Sequence, residues 1–92
     1  MAILTVFKLT TMDSEKYHKA INGLADAGEG MPEGRLYHIA SRQEDGSVIV
    51  TDIWESPELL EKFGATLVPV LTEAGVTPVE PEVTQVLNVI EG

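Results

Sequence analysis

Three short runs of this chain are apolar on both of their faces, and no other feature restricts its possible folds as much. Successive side chains of a strand point to opposite faces. A sheet with helices on one side and water on the other therefore alternates apolar and polar residues. Residues 2–9 instead set Leu4 and Val6 against Ile3, Phe7 and Leu9. In 47–54, Val48, Val50 and Trp54 oppose Ile49 and Ile53, and in 83–90, Val83, Leu87 and Val89 oppose Val86 and Ile90. Both faces of such a sheet require cover. The chain has 92 residues, enough for one domain spanning 1–92 and helices for only one layer. The second face is expected to close on a copy of the same chain, through a two-fold sheet-to-sheet interface. Composition agrees: 43% of residues are hydrophobic, more than one small core needs.

Between these runs the periodicity changes. After residues 2–9, Thr10, Thr11, Asp13 and Ser14 offer capping oxygens, and Tyr17, Ala20, Ile21, Leu24 and Ala27 recur at helical spacing until Gly28. Residues 29–34, with two glycines and a proline, read as a loop. Arg35–Arg42 is a second strand, joined to the 47–54 strand by a turn containing Asp45-Gly46. Ser56 as N-cap and Pro57 at the first helical position begin a second helix along Leu60, Phe63, Leu67, Leu71 and Ala74. Pro69 is expected to kink or split that helix near 66–68, with Gly75 ending the second piece. The order β-α-β-β-α-β predicts an α+β, ferredoxin-like fold with a four-stranded antiparallel sheet.

Charge and cysteine content remove several functions. Six basic residues stand against 15 acidic ones, a net charge of −9, and all of the excess lies beyond residue 28. Such a surface repels phosphate backbones and anionic lipid, so neither nucleic acid nor membrane is an expected partner. The absence of cysteine excludes disulfides, thiolate zinc sites and a cysteine nucleophile. Met1 runs directly into the first apolar run without a basic leader, and the reading is a cytoplasmic protein.

Local sequence adds a resemblance. The segment Gly46-Ser47-Val48-Ile49-Val50-Thr51-Asp52-Ile53-Trp54-Glu55-Ser56-Pro57-Glu58 leads a hairpin strand into a helix through a Trp-Glu-Ser junction. With Arg35-Leu36-Tyr37-His38, Gly64-Ala65-Thr66-Leu67 and Glu80-Pro81-Glu82-Val83, it resembles the dimeric α+β barrel superfamily, within it the small antibiotic-biosynthesis-monooxygenase-like proteins. The resemblance covers nearly the whole chain and implies a dimeric α/β barrel. It is specific for fold and weak for chemistry, because that superfamily hosts oxygenases, haem-degrading enzymes, isomerases, dehalogenating enzymes and sensor domains.

The candidate catalytic pair is His38 with Asp52. A neutral imidazole could take a proton from an acidic substrate, and a carboxylate behind it would fix its tautomer. The hairpin register decides whether they meet. A two-residue turn pairs position 38 with 53, and one extra turn residue pairs it with 52. Tyr17, Tyr37, Trp54 and Phe63 are candidate walls of an apolar ligand pocket between the helices and the sheet, or else plain core. His18 reads as a boundary residue with no metal-ligand neighbours. Arg35 and Arg42 could each bind an anion, but strand-end arginines are usually solvated. Glu55, Glu58 and Glu61 read as an exposed acidic face. Gly30 and Gly34 lack the Gly-Lys-Ser/Thr ending of a phosphate loop, and no serine sits in a nucleophile elbow.

Two functions follow. The resemblance implies a cofactor-independent monooxygenase acting on an electron-rich aromatic such as a quinol, anthrone or polyketide, with neither metal nor flavin. His38 would be its base, and Trp54 and Tyr37 its positioning groups. The alternative is a non-catalytic homodimer that binds or senses a small hydrophobic molecule. Haem degradation fits less well: the first strand has no Asn and residues 57–74 contain no His, the residues used by haem-degrading relatives. An RNA-binding sheet is excluded by Asp52 and Glu55, which stand where basic and stacking residues are needed.

Overall fold

A computed structural model describes residues 1–92. The elements run β1 (Ile3–Leu9), α1 (Ser14–Asp26), β2 (Arg35–Arg42), β3 (Val48–Trp54), α2 (Pro57–Glu73) and β4 (Glu82–Gln85). The four strands form one antiparallel sheet in the order β2-β3-β1-β4. The helices cover one face, towards which β1 and β3 turn Ile3, Phe7, Leu9, Val48, Val50 and Trp54.

Local chemistry starts and stops these elements. Asp13 caps α1, its Oδ1 accepting from the Lys16 N–H at 2.8 Å. Ser56 caps α2, its Oγ accepting from the Leu59 N–H at 3.3 Å, with Pro57 following where a missing N–H costs nothing. Gly75, at φ +82°, turns the chain out of α2 while the Val76 N–H reaches back to the Leu71 carbonyl. The β2–β3 turn has three residues, Glu44-Asp45-Gly46, closed by Gln43 N–H to the Ser47 carbonyl at 2.8 Å. Gly46 takes φ +89°, and Asp45 Oδ1 accepts from both the Ser47 N–H and its hydroxyl. Those bonds hold the Asp45 carboxyl below its usual range.

Two expectations are corrected. Helix α2 is not split: it runs unbroken from Pro57 to Glu73 with Pro69 inside it. Pro69 has no N–H for the carbonyl of Ala65, but both residues are exposed, so water can take that carbonyl. The last strand is Glu82–Gln85 rather than 83–90. Its partner β1 begins at Ile3, which pairs with Gln85, and one further bond joins Val86 N–H to the Ala2 carbonyl. Residues 87–90 lie past the end of β1 and have no strand to pair with.

The outer face of the sheet carries no helix; only the C-terminal residues 89–92 lie along it, beside Tyr37 and Ile39. Tyr37 and Ile39 (57% exposed) stand on it, and Leu87 is 99% exposed just beyond the last strand. The accessible surface is 6042 Å². Scaling for a compact 10.0 kDa monomer gives about 5,200 Å², so the chain carries roughly 800 Å² too much. On the inner face the core holds two groups of buried side chains, bridged by the partly buried Leu60, Leu67 and Val70. One cluster gathers Phe7, Leu9, Met12, Ala20, Val48, Val50, Leu71, Ala74 and Val76, and a second gathers Ile3, Leu24, Trp54 and Phe63.

Candidate functional site

A cavity of about 50 Å³ lies between the sheet and the helices, bordered by residues of both clusters: Phe7, Leu9, Met12, Ala20, Val50 and Leu71 from one, Leu24 and Phe63 from the other. Eleven of its 14 lining residues are hydrophobic, and the other three are Arg35, His38 and Asp52. A space of this size holds a few waters rather than an aromatic ring. Tyr17, Ile21, Arg35 and His38 are only half-buried, which puts its mouth between α1 and β2.

The three-residue turn selects the register that pairs His38 with Asp52. Both side chains face the helices. His38 Nδ1 lies 2.7 Å from Asp52 Oδ1, and the Trp54 indole N–H donates to Asp52 Oδ2 at 3.3 Å. A carboxylate only accepts, so Nδ1 carries the proton of the neutral ring and Nε2 is left as acceptor. The Tyr17 hydroxyl, 2.7 Å from Nε2, donates into it. The Tyr17 and His38 rings are within 7° of parallel with centroids 6.0 Å apart, a spacing set by the hydroxyl–imidazole bond rather than by face-to-face stacking. The chain Tyr17–His38–Asp52–Trp54 thus runs from the cavity mouth to a residue with no exposed surface. Asp52 is 4% exposed with both carboxylate oxygens engaged. Beside it across the β1–β3 ladder, the fully buried Thr5 hydroxyl has no partner.

Burial pushes the Tyr17 phenol above its ordinary value; the Arg35 guanidinium opposes this and the Asp52 carboxylate adds to it. Protonated Tyr17 can receive a proton from a ligand on the side facing the cavity while passing its own to Nε2. The arrangement can therefore abstract a proton from a bound acid and hold it in a largely apolar space.

The candidate wall residues divide. Tyr17 and Phe63 line the cavity. Tyr37 does not: it neighbours His38 on β2, so pleating sends it to the opposite face, among Leu4, Ile39, Ile53, Val89 and Ile90. Desolvation and the nearby Glu91 carboxylate raise its phenol there. Trp54 faces the helices but does not border the cavity; it packs on Phe63 with ring centroids 5.2 Å apart and supports Asp52 from behind. Arg35 is the lining residue that strand periodicity misplaces. Arg35 pairs with Trp54 and Tyr37 with Ile53, so Leu36 is an extra residue and the register shifts there. This β-bulge brings Arg35 to the same face as His38, although three positions separate them. His18 is exposed, and no three His, Asp or Glu side chains gather at metal-binding distance. No helix is long and apolar enough to cross a membrane.

These features define an α+β fold with a four-stranded antiparallel sheet, two helices on one face and a cavity between the layers. Solved structures of antibiotic biosynthesis monooxygenase type share it over nearly the full chain. An antibiotic-biosynthesis-monooxygenase-like protein from Chloroflexus aurantiacus superposes with TM-score 0.69 at 12% identity, covering 99% of this chain and 98% of that one. SnoaB from Streptomyces nogalater, a cofactor-independent oxygenase, gives TM-score 0.68 at 14% identity, covering 99% and 98%. A monooxygenase of Streptomyces coelicolor, solved with the ligand nanaomycin D, gives 0.59 at 16%, covering 99% and 91%. No protein-family model and no curated protein matches the sequence. The chain thus has the antibiotic-biosynthesis-monooxygenase-like fold.

Proposed function

We propose that the protein is a cofactor-independent monooxygenase of a small aromatic substrate, of the quinol, anthrone or polyketide kind. The observation that carries this reading is the hydrogen-bonded chain Tyr17–His38–Asp52, which meets an apolar cavity at its mouth. His38, oriented by Asp52, is the base, and Tyr17 relays the proton to it. For an anthrone, removing a proton from the methylene group between its aromatic rings leaves a carbanion. The carbanion gives one electron to dioxygen, and the resulting radical pair joins as a carbon-bound peroxide. Loss of the second C–H proton, with protonation of the departing oxygen by the His38 imidazolium, breaks the O–O bond. The balance is methylene plus dioxygen to carbonyl plus water, with dioxygen the sole oxidant. The surrounding apolar residues would keep water from the anion.

The same reading includes a homodimer closed through the outer faces of two sheets. The surplus of about 800 Å² matches what each partner of a standard interface buries.

Oxygen uptake with a panel of hydroquinones and anthrones, on wild type and His38→Ala, tests the enzyme. The substitution is expected to lower the rate by about 10²-fold or more. Uptake that ignores the substitution removes His38 from the mechanism. Saturable binding without any uptake favours the non-catalytic binding module.

A further inference from the structure

We propose that Arg35 makes this cavity selective for a ligand with an apolar body and one oxyanion, the guanidinium holding the oxyanion at the mouth beside Tyr17. The inference rests on the proposed function only in using the same cavity. Three observations carry it. Arg35 borders a largely apolar space, yet none of the 15 acidic side chains of the chain pairs with it. Of its five side-chain N–H donors, one is used, from Nη2 to the Gly30 carbonyl at 3.3 Å. Its position also depends on the bulge at Leu36, without which regular pleating would send it to the outer face.

The electrostatics at the mouth favour an anion. Arg35 opposes the upward shift of the Tyr17 phenol, so its positive field reaches the oxygen at which a ligand would meet the relay. Asp52 is the opposing charge, but its two oxygens are engaged by His38 and Trp54 behind the imidazole. A planar guanidinium fork suits a carboxylate, and a phenolate or enolate oxygen can use the same donors. The shared chemistry is an oxyanion on an aromatic or otherwise apolar frame. The cavity must widen to admit that frame.

Equilibrium binding of three probes decides the matter: 4-nitrophenol titrated through its own ionisation, 4-nitrobenzoate as a permanent carboxylate, and 4-nitroanisole as the neutral control. Wild type is expected to bind an anionic probe about 10- to 100-fold more tightly than the anisole. Preference for nitrophenolate identifies a phenolate or enolate ligand, and preference for nitrobenzoate a carboxylate. Arg35→Gln should erase the preference while leaving anisole binding unchanged, which also shows that the cavity survives. Arg35→Lys should keep only part of it. Equal binding of anion and neutral probe, binding of no anion, or a preference that persists in Arg35→Gln overturns the proposal. Anion selectivity without oxygen uptake on any panel substrate would refute the oxygenase and leave this inference intact. His38-dependent uptake without anion selectivity would do the reverse.

Discussion

Replacing Asp52 with asparagine changes one atom and should reverse the direction of the hydrogen bonds in the site. The carboxylate accepts from His38 Nδ1 at 2.7 Å and from the Trp54 indole at 3.3 Å, in a position only 4% exposed. An amide has one accepting oxygen, so it can serve one of the two donors and must turn its own N–H towards the other. If the oxygen stays with Trp54, the amide donates to Nδ1. The imidazole proton then moves to Nε2, which can no longer accept from Tyr17. A hydrogen bond to a charged group is worth about 1.5–3 kcal/mol. Both bonds to the carboxylate become neutral ones, so the exchange should cost about 2–3 kcal/mol. A chain of 92 residues has roughly 5–14 kcal/mol in total, so Asp52→Asn stays folded but melts at clearly lower denaturant concentration. The tautomer can be read from two-bond proton–nitrogen correlations of the His38 ring, with exposed His18 as an internal reference. Wild type should show a protonated Nδ1 and a bare Nε2, and the variant the opposite. A variant that keeps the Nδ1–H tautomer and loses less than about 0.5 kcal/mol refutes the reasoning.

The remaining expectations concern neighbouring parts of the molecule. Because the Tyr17 phenol titrates above its ordinary 10.0 in the folded chain, its neutral form contributes stability below that pH, lost as pH rises through the raised value. Denaturation profiles of wild type and Tyr17→Phe should therefore converge in alkali, and parallel profiles would contradict it. Thr5→Val removes a buried hydroxyl without a partner at nearly constant shape and should stabilise the fold by about 1 kcal/mol in a thermal melt. Gly34→Ala should destabilise by more than about 1 kcal/mol: φ is +87°, and the added Cβ would collide with Leu59 Cδ1. Leu59→Ala should recover part of that loss, and strict additivity in a double-mutant cycle would count against the clash. Ile39→Lys, on the open sheet face, should turn a sedimenting dimer into a monomer without unfolding it.

Much of the fold was legible because each element carries its own punctuation. Asp13, Ser56-Pro57, Gly46 and Gly75 act within a few residues of where they stand, and the helices and turn form there. Features set by distant partners were not legible. The extent of β4 depends on where β1 begins, and nothing in 83–90 itself records that. The His38–Asp52 register hinged on whether Glu44 joined the turn, and an Asp-Gly pair serves both outcomes. The exclusion of Tyr37 from the cavity could have been foreseen, since neighbours on a strand face opposite ways and His38 already claimed the inner face. The bulge at Leu36 could not, because leucine carries no mark of an irregular strand, and so Arg35 read as a solvated strand end.

The position of the cavity has a practical consequence. The two apolar clusters, already bridged by Leu60, Leu67 and Val70, both border the cavity, so a molecule that fills it would pack against both as an additional core side chain does. Ligand binding and resistance to unfolding are then linked. A ligand at one hundred times its dissociation constant would add about 2.7 kcal/mol. For a domain this small, that corresponds to a rise in melting temperature of roughly 10–20 °C. The protein can therefore report its own ligand: a melting screen of acidic aromatic compounds requires no turnover and would single out the molecules that complete its interior.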